Sequence, residues 1–133
     1  MINIKNAMYT ILKAYIASVC TNSGTIEGNT TPTAFPYLLF VQKDNPIYKP
    51  SMDSDSKENH VQPMVQIDVF MNQNKMNIAE QVADKADECM QLYGWQRIFG
   101  YQPLSVGTDG VCRLTARYQA IIKQNAPNDF TVI

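Results

Sequence analysis

Apolar residues recur every three or four positions near the start of the chain: Ile4, Met8, Ile11, Leu12, Tyr15, Ile16 and Val19. That spacing stacks them on one side and predicts an amphipathic helix from about Ile4 to Val19, with Asn3 as N-cap. The following CTNSGTIEGNTTPT is rich in Gly, Thr and Asn and ends the helix. The period then shortens. In AFPYLLFVQK, about Ala34 to Lys43, residues Phe35, Tyr37, Leu39 and Val41 fall on one side of a strand, and Leu38 and Phe40 on the other. Two apolar faces imply cover on both sides, by the domain's own helices or by a neighbour. Pro36 lacks an N–H for the ladder, so it belongs at the strand's start or on an edge.

The stretch from Asp44 to about Asn59, DNPIYKPSMDSDSKEN, has no such pattern. Its Pro, Ser and Asp residues bury too little apolar area to offset the entropy of fixing them. A mobile hairpin loop over 44–59 is expected, ordered only on contact with a partner. From about Val61 to Met71, Val65, Ile67, Val69 and Met71 alternate with Gln66, Asp68 and Phe70, the pattern of a half-buried strand antiparallel to the preceding one.

A second helix is predicted from about Ile78 to Leu92. Asn77 serves as cap and Glu80 as an imperfect capping-box partner, and Gly94 supplies the left-handed stop. Its buried stripe is Ile78, Val82, Ala86, Cys89, Met90 and Tyr93; its exposed face carries Glu80, Asp84, Asp87, Glu88 and Gln91. The chain then forms a hairpin, about Arg97 to Val106 and Val111 to Lys123, around the turn sequence GTDG. In its second strand Cys112, Leu114, Ala116, Tyr118, Ala120 and Ile122 face one way; Arg113, Thr115, Arg117 and Gln119 face the other. Residues 124–133, QNAPNDFTVI, read as a flexible C-terminal arm whose apolar tip (Phe130, Val132, Ile133) suits an apolar groove, such as one on a neighbouring subunit; the alternative is a frayed tail that happens to be apolar. The order helix-strand-strand-helix-strand-strand gives one α+β domain over 1–133, with helices packed on one face of a largely antiparallel sheet.

Composition narrows the function. The length of 133 residues suits one domain, and a net charge of −1 supplies no basic field for nucleic acid. Lysines and arginines are scattered; only Arg113, Arg117 and Arg97 have positions that allow a shared surface. The aromatics Phe35, Tyr37, Phe40, Trp95, Phe99, Tyr101 and Tyr118 therefore read as core packing ahead of base stacking. No apolar run approaches the roughly 20 residues that cross a bilayer, so no membrane partner is expected. The N-terminal stretch reads as a helix and not as a signal peptide, because Lys13 and polar residues interrupt it.

Candidate chemistry is sparse. Cys20, Cys89 and Cys112 are dispersed and form no CxxC pair, which fits a reduced cytosolic compartment and no zinc site. His60, the single histidine, sits beside the loop and reads as solvent-exposed, not as the base of a nucleophile. DSDSKE lacks the central glycine and closing glutamate of a calcium loop, and GTIEG and GTDG lack the spacing of a phosphate cradle. Asp68, mid-strand on the polar side, reads as a surface or interface carboxylate. No catalytic, cofactor or metal residue is predicted. The candidate interface is Phe35, Pro36, Tyr37 and Phe40 with Phe130, Val132 and Ile133.

Three segments taken together carry a resemblance: TPTAFPYLLF, then VQIDVFMNQNKMNIAEQVADKADECM, then the closing RLTARYQAII. Over about residues 4–123 this succession resembles the tail terminator (tail completion) proteins of long-tailed phages. The passage from Gln66 to Ala86, a strand running through a polar break into an Ala-rich helix, fits most closely. The resemblance implies a virion structural subunit, not an enzyme, that needs no cofactor. It implies a six-membered ring that caps the completed tail tube, ends its polymerisation and offers a head–neck attachment surface. Implied partners are further copies of the chain, the major tail tube protein and a neck or head-completion protein, with DNA only passing through the lumen. The implied place is the head-proximal end of the tail, after assembly in the bacterial host cytoplasm. A neck, head–tail connector or minor capsid protein of similar architecture is the alternative, and a small enzyme or nucleic-acid accessory protein a third reading.

Overall fold

The first helix, α1 (Lys5–Ile16), buries Met8, Leu12 and Ile16, three residues at spacings of four. The structure, a computed structural model, describes residues 5–25, 35–44, 62–105, 111–126 and 129–132. Asn3, the loop residues beyond Asp44, His60, the GTDG turn and Ile133 lie outside the described residues. The helix stops before the predicted Val19, because the Val19 and Cys20 N–H groups both bond to the Ile16 carbonyl, at 2.9 and 2.8 Å.

Next come β1 (Asn22–Gly24), β2 (Tyr37–Asp44) and β3 (Met64–Asn72). A 3-10 turn over Gln73–Lys75 feeds directly into α2 (Met76–Leu92). This corrects the predicted cap. Asn77 lies inside the first turn, and Lys75 holds the N-cap position without a side-chain cap bond. The chain winds at once on leaving β3, so the helix starts before the residue whose side chain is best suited to cap it. Its far end is as expected: Gly94 has φ 85°, the Gly94 N–H bonds Gln91, and the Trp95 N–H bonds Met90. That pair of bonds is the Schellman stop, and it needs a left-handed residue at Gly94. Tyr93, predicted buried, is 40% exposed, and Ala79 and Ala83 join the buried stripe instead.

The remaining strands are β4 (Gln96–Ser105), β5 (Val111–Gln119), β6 (Ile122–Ala126) and β7 (Asp129–Val132). Five strands form one sheet in the order β1-β2-β3-β5-β4, all pairs antiparallel except the parallel β1–β2. β6 and β7 pair separately. The α+β class with both helices on one face therefore holds. Two departures stand out. Asn22-Ser23-Gly24, with no strand-forming residue, is recruited as an edge strand, and the Ser23 and Tyr9 hydroxyls share a 2.9 Å hydrogen bond that ties β1 to α1. Residues 124–126, read as part of a flexible arm, are the end of β6, opposite β7.

The helices lie over Leu38 and Phe40 of β2, Val65, Ile67, Val69 and Met71 of β3, and Cys112, Leu114, Ala116 and Tyr118 of β5. Each of the Leu, Val, Ile, Phe and Met side chains among these contributes about 1.5–3 kcal/mol when fully buried, so this layer holds the domain together. Alternation along each strand then leaves a second, helix-free face on β2, β3 and β5.

Candidate functional site

The ladder register builds the helix-free face row by row. Tyr37, Phe70 and Arg113 share one row; Leu39, Asp68 and Thr115 the next; Val41, Gln66 and Arg117 the third. Apolar residues thus lie along β2 and polar ones along β5. Leu39, Phe70 and Val111 are buried together, with Phe35, Tyr37 and Val41 half-buried around them. The Tyr37 and Phe70 rings meet edge-on, with centroids 6.2 Å apart, a favourable quadrupole arrangement. Gly24 of β1 sits where any Cβ would run into the Tyr37 hydroxyl.

The polar side is a chain of hydrogen bonds. Arg117 Nε donates to Gln66 Oε1 at 3.0 Å. Gln66 Nε2 donates to both Asp68 carboxylate oxygens, at 3.1 and 3.2 Å. The Thr115 hydroxyl donates to Asp68 Oδ1. Asp68 is 1% exposed and Gln66 7%, which corrects the reading of β3 as half-buried and of Asp68 as a surface carboxylate. The reason is position: β3 lies between β2 and β5, and Asp68 is flanked in its row by Leu39 and Thr115. A buried carboxylate is tolerated because amide and hydroxyl donors satisfy it. Around it the arginines are under-used. Among the described residues Arg113 Nε is buried without a partner, and Arg117 is exposed beyond its bond to Gln66.

A second polar cluster lies between α2 and the sheet. Asp87 accepts from the Tyr118 hydroxyl at 2.6 Å and from Gln91 Nε2 at 2.8 Å, and pairs with Arg97 at 3.1 Å. Burial, then the neighbouring Tyr101 and the Asp87 acceptor, push the Tyr118 phenol well above its ordinary range. Tyr101 meets Tyr118 edge-on at 6.4 Å; its hydroxyl is buried without a partner, and burial raises it too. Beside it an open cleft of about 240 Å³ is lined by Met76, Glu80, Ala83, Asp84, Tyr101 and Leu114. Glu80 and Asp84 are exposed and have no ion-pair partner among the described residues.

Neither cluster pairs a nucleophile with a base. Among the described residues no three His, Cys, Asp or Glu side chains are grouped to hold a metal ion. Burial raises the Cys20 and Cys89 thiols, Cys89 to about 11, the opposite of activation. Among the described residues no helix is long and apolar enough to cross a membrane.

The predicted interface residues separate. Tyr37 is half-buried on the helix-free face. Phe35 is half-buried and touches both apolar clusters. The Pro36 carbonyl accepts from Asn22 Nδ2 at 3.3 Å and Cys20 Sγ at 3.4 Å, which anchors the start of β2. Phe40 is corrected: it is 0% exposed, turned beneath α1 with its ring centroid 6.4 Å from that of Tyr9, and has no surface to offer a neighbour. Phe130 and Val132 stand on β7, opposite Gln124 and Ile122, in a different sheet from the others. The polar chain through Gln66, Asp68, Thr115 and Arg117 was missed as a unit. Its signal was present as two alternating polar tracks, 66/68 and 113/115/117, that needed only to be set side by side.

No family model matches this chain. No curated protein matches it either. Among solved structures it is similar to a chain described as "Virion of native gene transfer agent (GTA) particle", at 14% identity and TM-score 0.58, covering 90% of this chain and 94% of that one. At that identity the likeness establishes a shared fold.

Proposed function

We propose that the chain is a structural subunit of a phage-like virion. More narrowly, it forms a ring, a hexamer, that caps the tail tube at its head-proximal end, halts tube growth and presents a surface to the neck. The observation that carries this reading is the near end-to-end fold likeness to a chain of a gene transfer agent virion. The sequence resemblance to tail terminators, made over nearly the same span, supports it independently. Among the described residues no buried polar group stands beside a reactive partner, which is consistent with assembly.

Partners in this reading are further copies, the major tail tube protein and a neck or head-completion protein, with DNA passing through the lumen. The test is addition of the purified protein to polymerising tail tubes, followed by electron microscopy. Growth should stop, with density at one tube end. Tubes that grow at unchanged rate with bare ends refute the capping role, and binding to DNA-filled heads in place of tube ends would move the protein to the neck.

A further inference from the structure

We infer that copies of this chain join head to tail, the arginine-bearing helix-free sheet face of one docking on the acidic lane of α2 of the next. The inference rests on the self-assembly part of the reading above and adds which two surfaces meet.

The two surfaces have opposite sign and lie on opposite sides of the sheet. On β5, Arg113 and Arg117 point away from the helices, and neither has an ion-pair partner among the described residues. The described carboxylate between them, Asp68, is already taken by Gln66 and Thr115. On α2, Glu80, Asp84, Glu88 and Leu92 recur every four residues, which places them in one lane. Glu88 has a loose 3.7 Å contact to Lys85, and Leu92 is 68% exposed. Glu80 and Asp84 flank the cleft floored by Met76, Ala83 and Leu114 and walled by Tyr101, a shape that takes the apolar stem and cationic head of an arginine.

Spacing agrees with charge. Four residues along an extended strand cover about 13 Å, so Arg113 and Arg117 are separated by roughly that distance. Eight residues along a helix cover about 12 Å, the span from Glu80 to Glu88. Beyond the acids, Leu92 continues the lane as an apolar contact. Across β3 from the arginines, on the same sheet face, Tyr37 and Val41 form an apolar margin. A symmetric two-fold contact is disfavoured, since sheet against sheet would set arginine on arginine and helix against helix acid on acid. Unlike surfaces must meet, and a heterologous contact of this kind gives a ring when its rotation closes, as the proposed ring requires, and an open filament when it does not.

The experiment compares self-association, by sedimentation and light scattering across concentration, for wild type and two charge-reversal variants. One carries Arg113→Glu and Arg117→Glu; the other carries Glu80→Arg and Asp84→Arg. Circular dichroism checks folding, and exposed Arg117→Glu alone replaces the first pair if the half-buried Arg113 position does not tolerate Glu. Each variant alone should associate at least tenfold more weakly than wild type. An equimolar mixture of the two should recover assembly, because each reversed face then meets its complement. Undiminished assembly of either variant, or a mixture that fails to recover, overturns this interface and leaves the ring standing. Wild type that stays monomeric both alone and with tail tubes overturns the ring reading itself.

Discussion

Thr115 stands directly opposite Asp68 across the β3–β5 ladder and gives its hydroxyl to the Asp68 carboxylate, two residues far apart in sequence joined in the middle of the sheet. Thr115→Val keeps the shape and removes the donor, leaving a buried carboxylate with Gln66 as its remaining side-chain donor among the described residues. The expected loss is about 1–3 kcal/mol, read as a lower urea midpoint at unchanged slope. An unchanged midpoint would show that the carboxylate draws nothing from Thr115.

Tyr118→Phe should cost about 0.5–1.5 kcal/mol, because the ring stays packed while Asp87 loses its shortest hydrogen bond. Arg97→Ala should cost less, since the Arg97 side chain is 45% exposed and such pairs contribute little. Equilibrium unfolding of both variants gives the order. The reverse order would make the ion pair the stronger tether between α2 and β4.

Phe40 and Tyr37 are close in sequence and opposite in role. Phe40→Ala should cost about 3–5 kcal/mol, as for other large aromatic-to-alanine changes in a core. Tyr37→Ala, at a half-buried position, should cost less and should weaken self-association at concentrations where the wild type assembles. A fully folded Phe40→Ala with normal thermal stability would contradict its placement beneath α1.

Alkaline pH should destabilise the protein. Burial, with Glu88 adjacent, raises Cys89 from its ordinary 9.0 to about 11, so the folded state holds a proton that the unfolded chain releases earlier. The stabilisation is complete below about pH 9 and is lost as pH rises through 11. Tyr101 and Tyr118, raised by burial, extend the decline upward. Tm should therefore fall between these pH values and fall less steeply in Cys89→Ala. A flat Tm in wild type would refute the protonated, buried thiol.

Deletion of residues 125–133 removes β7 and the end of β6 but keeps Ile122, which is buried in the main core. The truncated protein should fold, because the five-stranded sheet is intact, while a lone two-stranded hairpin is marginal in water and gains stability from a partner. In the proposed capping role, binding to tail tubes should weaken. Unchanged oligomer size and unchanged tube binding would dispose of the docking role for Phe130 and Val132.

Local periodicity determined the order of the main elements. Spacings of three and four at Met8, Leu12 and Ile16, or at Val82, Ala86 and Cys89, suit only a helix, and the alternations along 65–71 and 112–118 suit only strands. The tail terminator resemblance read from the same residues lies in this succession. Alternation also separated Leu38 and Phe40 from Tyr37 and Leu39 correctly, but could not say which side the helices would cover. Phe40 therefore passed for an interface residue until the tertiary structure placed α1 over it. The same limit hid the burial of Asp68, which depends on β2 and β5 flanking β3, and the recruitment of Asn22-Ser23-Gly24 as a strand, which depends on an available edge at Tyr37–Leu39. Periodicity is fixed by neighbours within one or two turns of chain. Burial and charge pairing are fixed by residues tens of positions away, as with Asp68 and Thr115, whose separation of 47 carries no local signal and is settled only when the whole sheet packs.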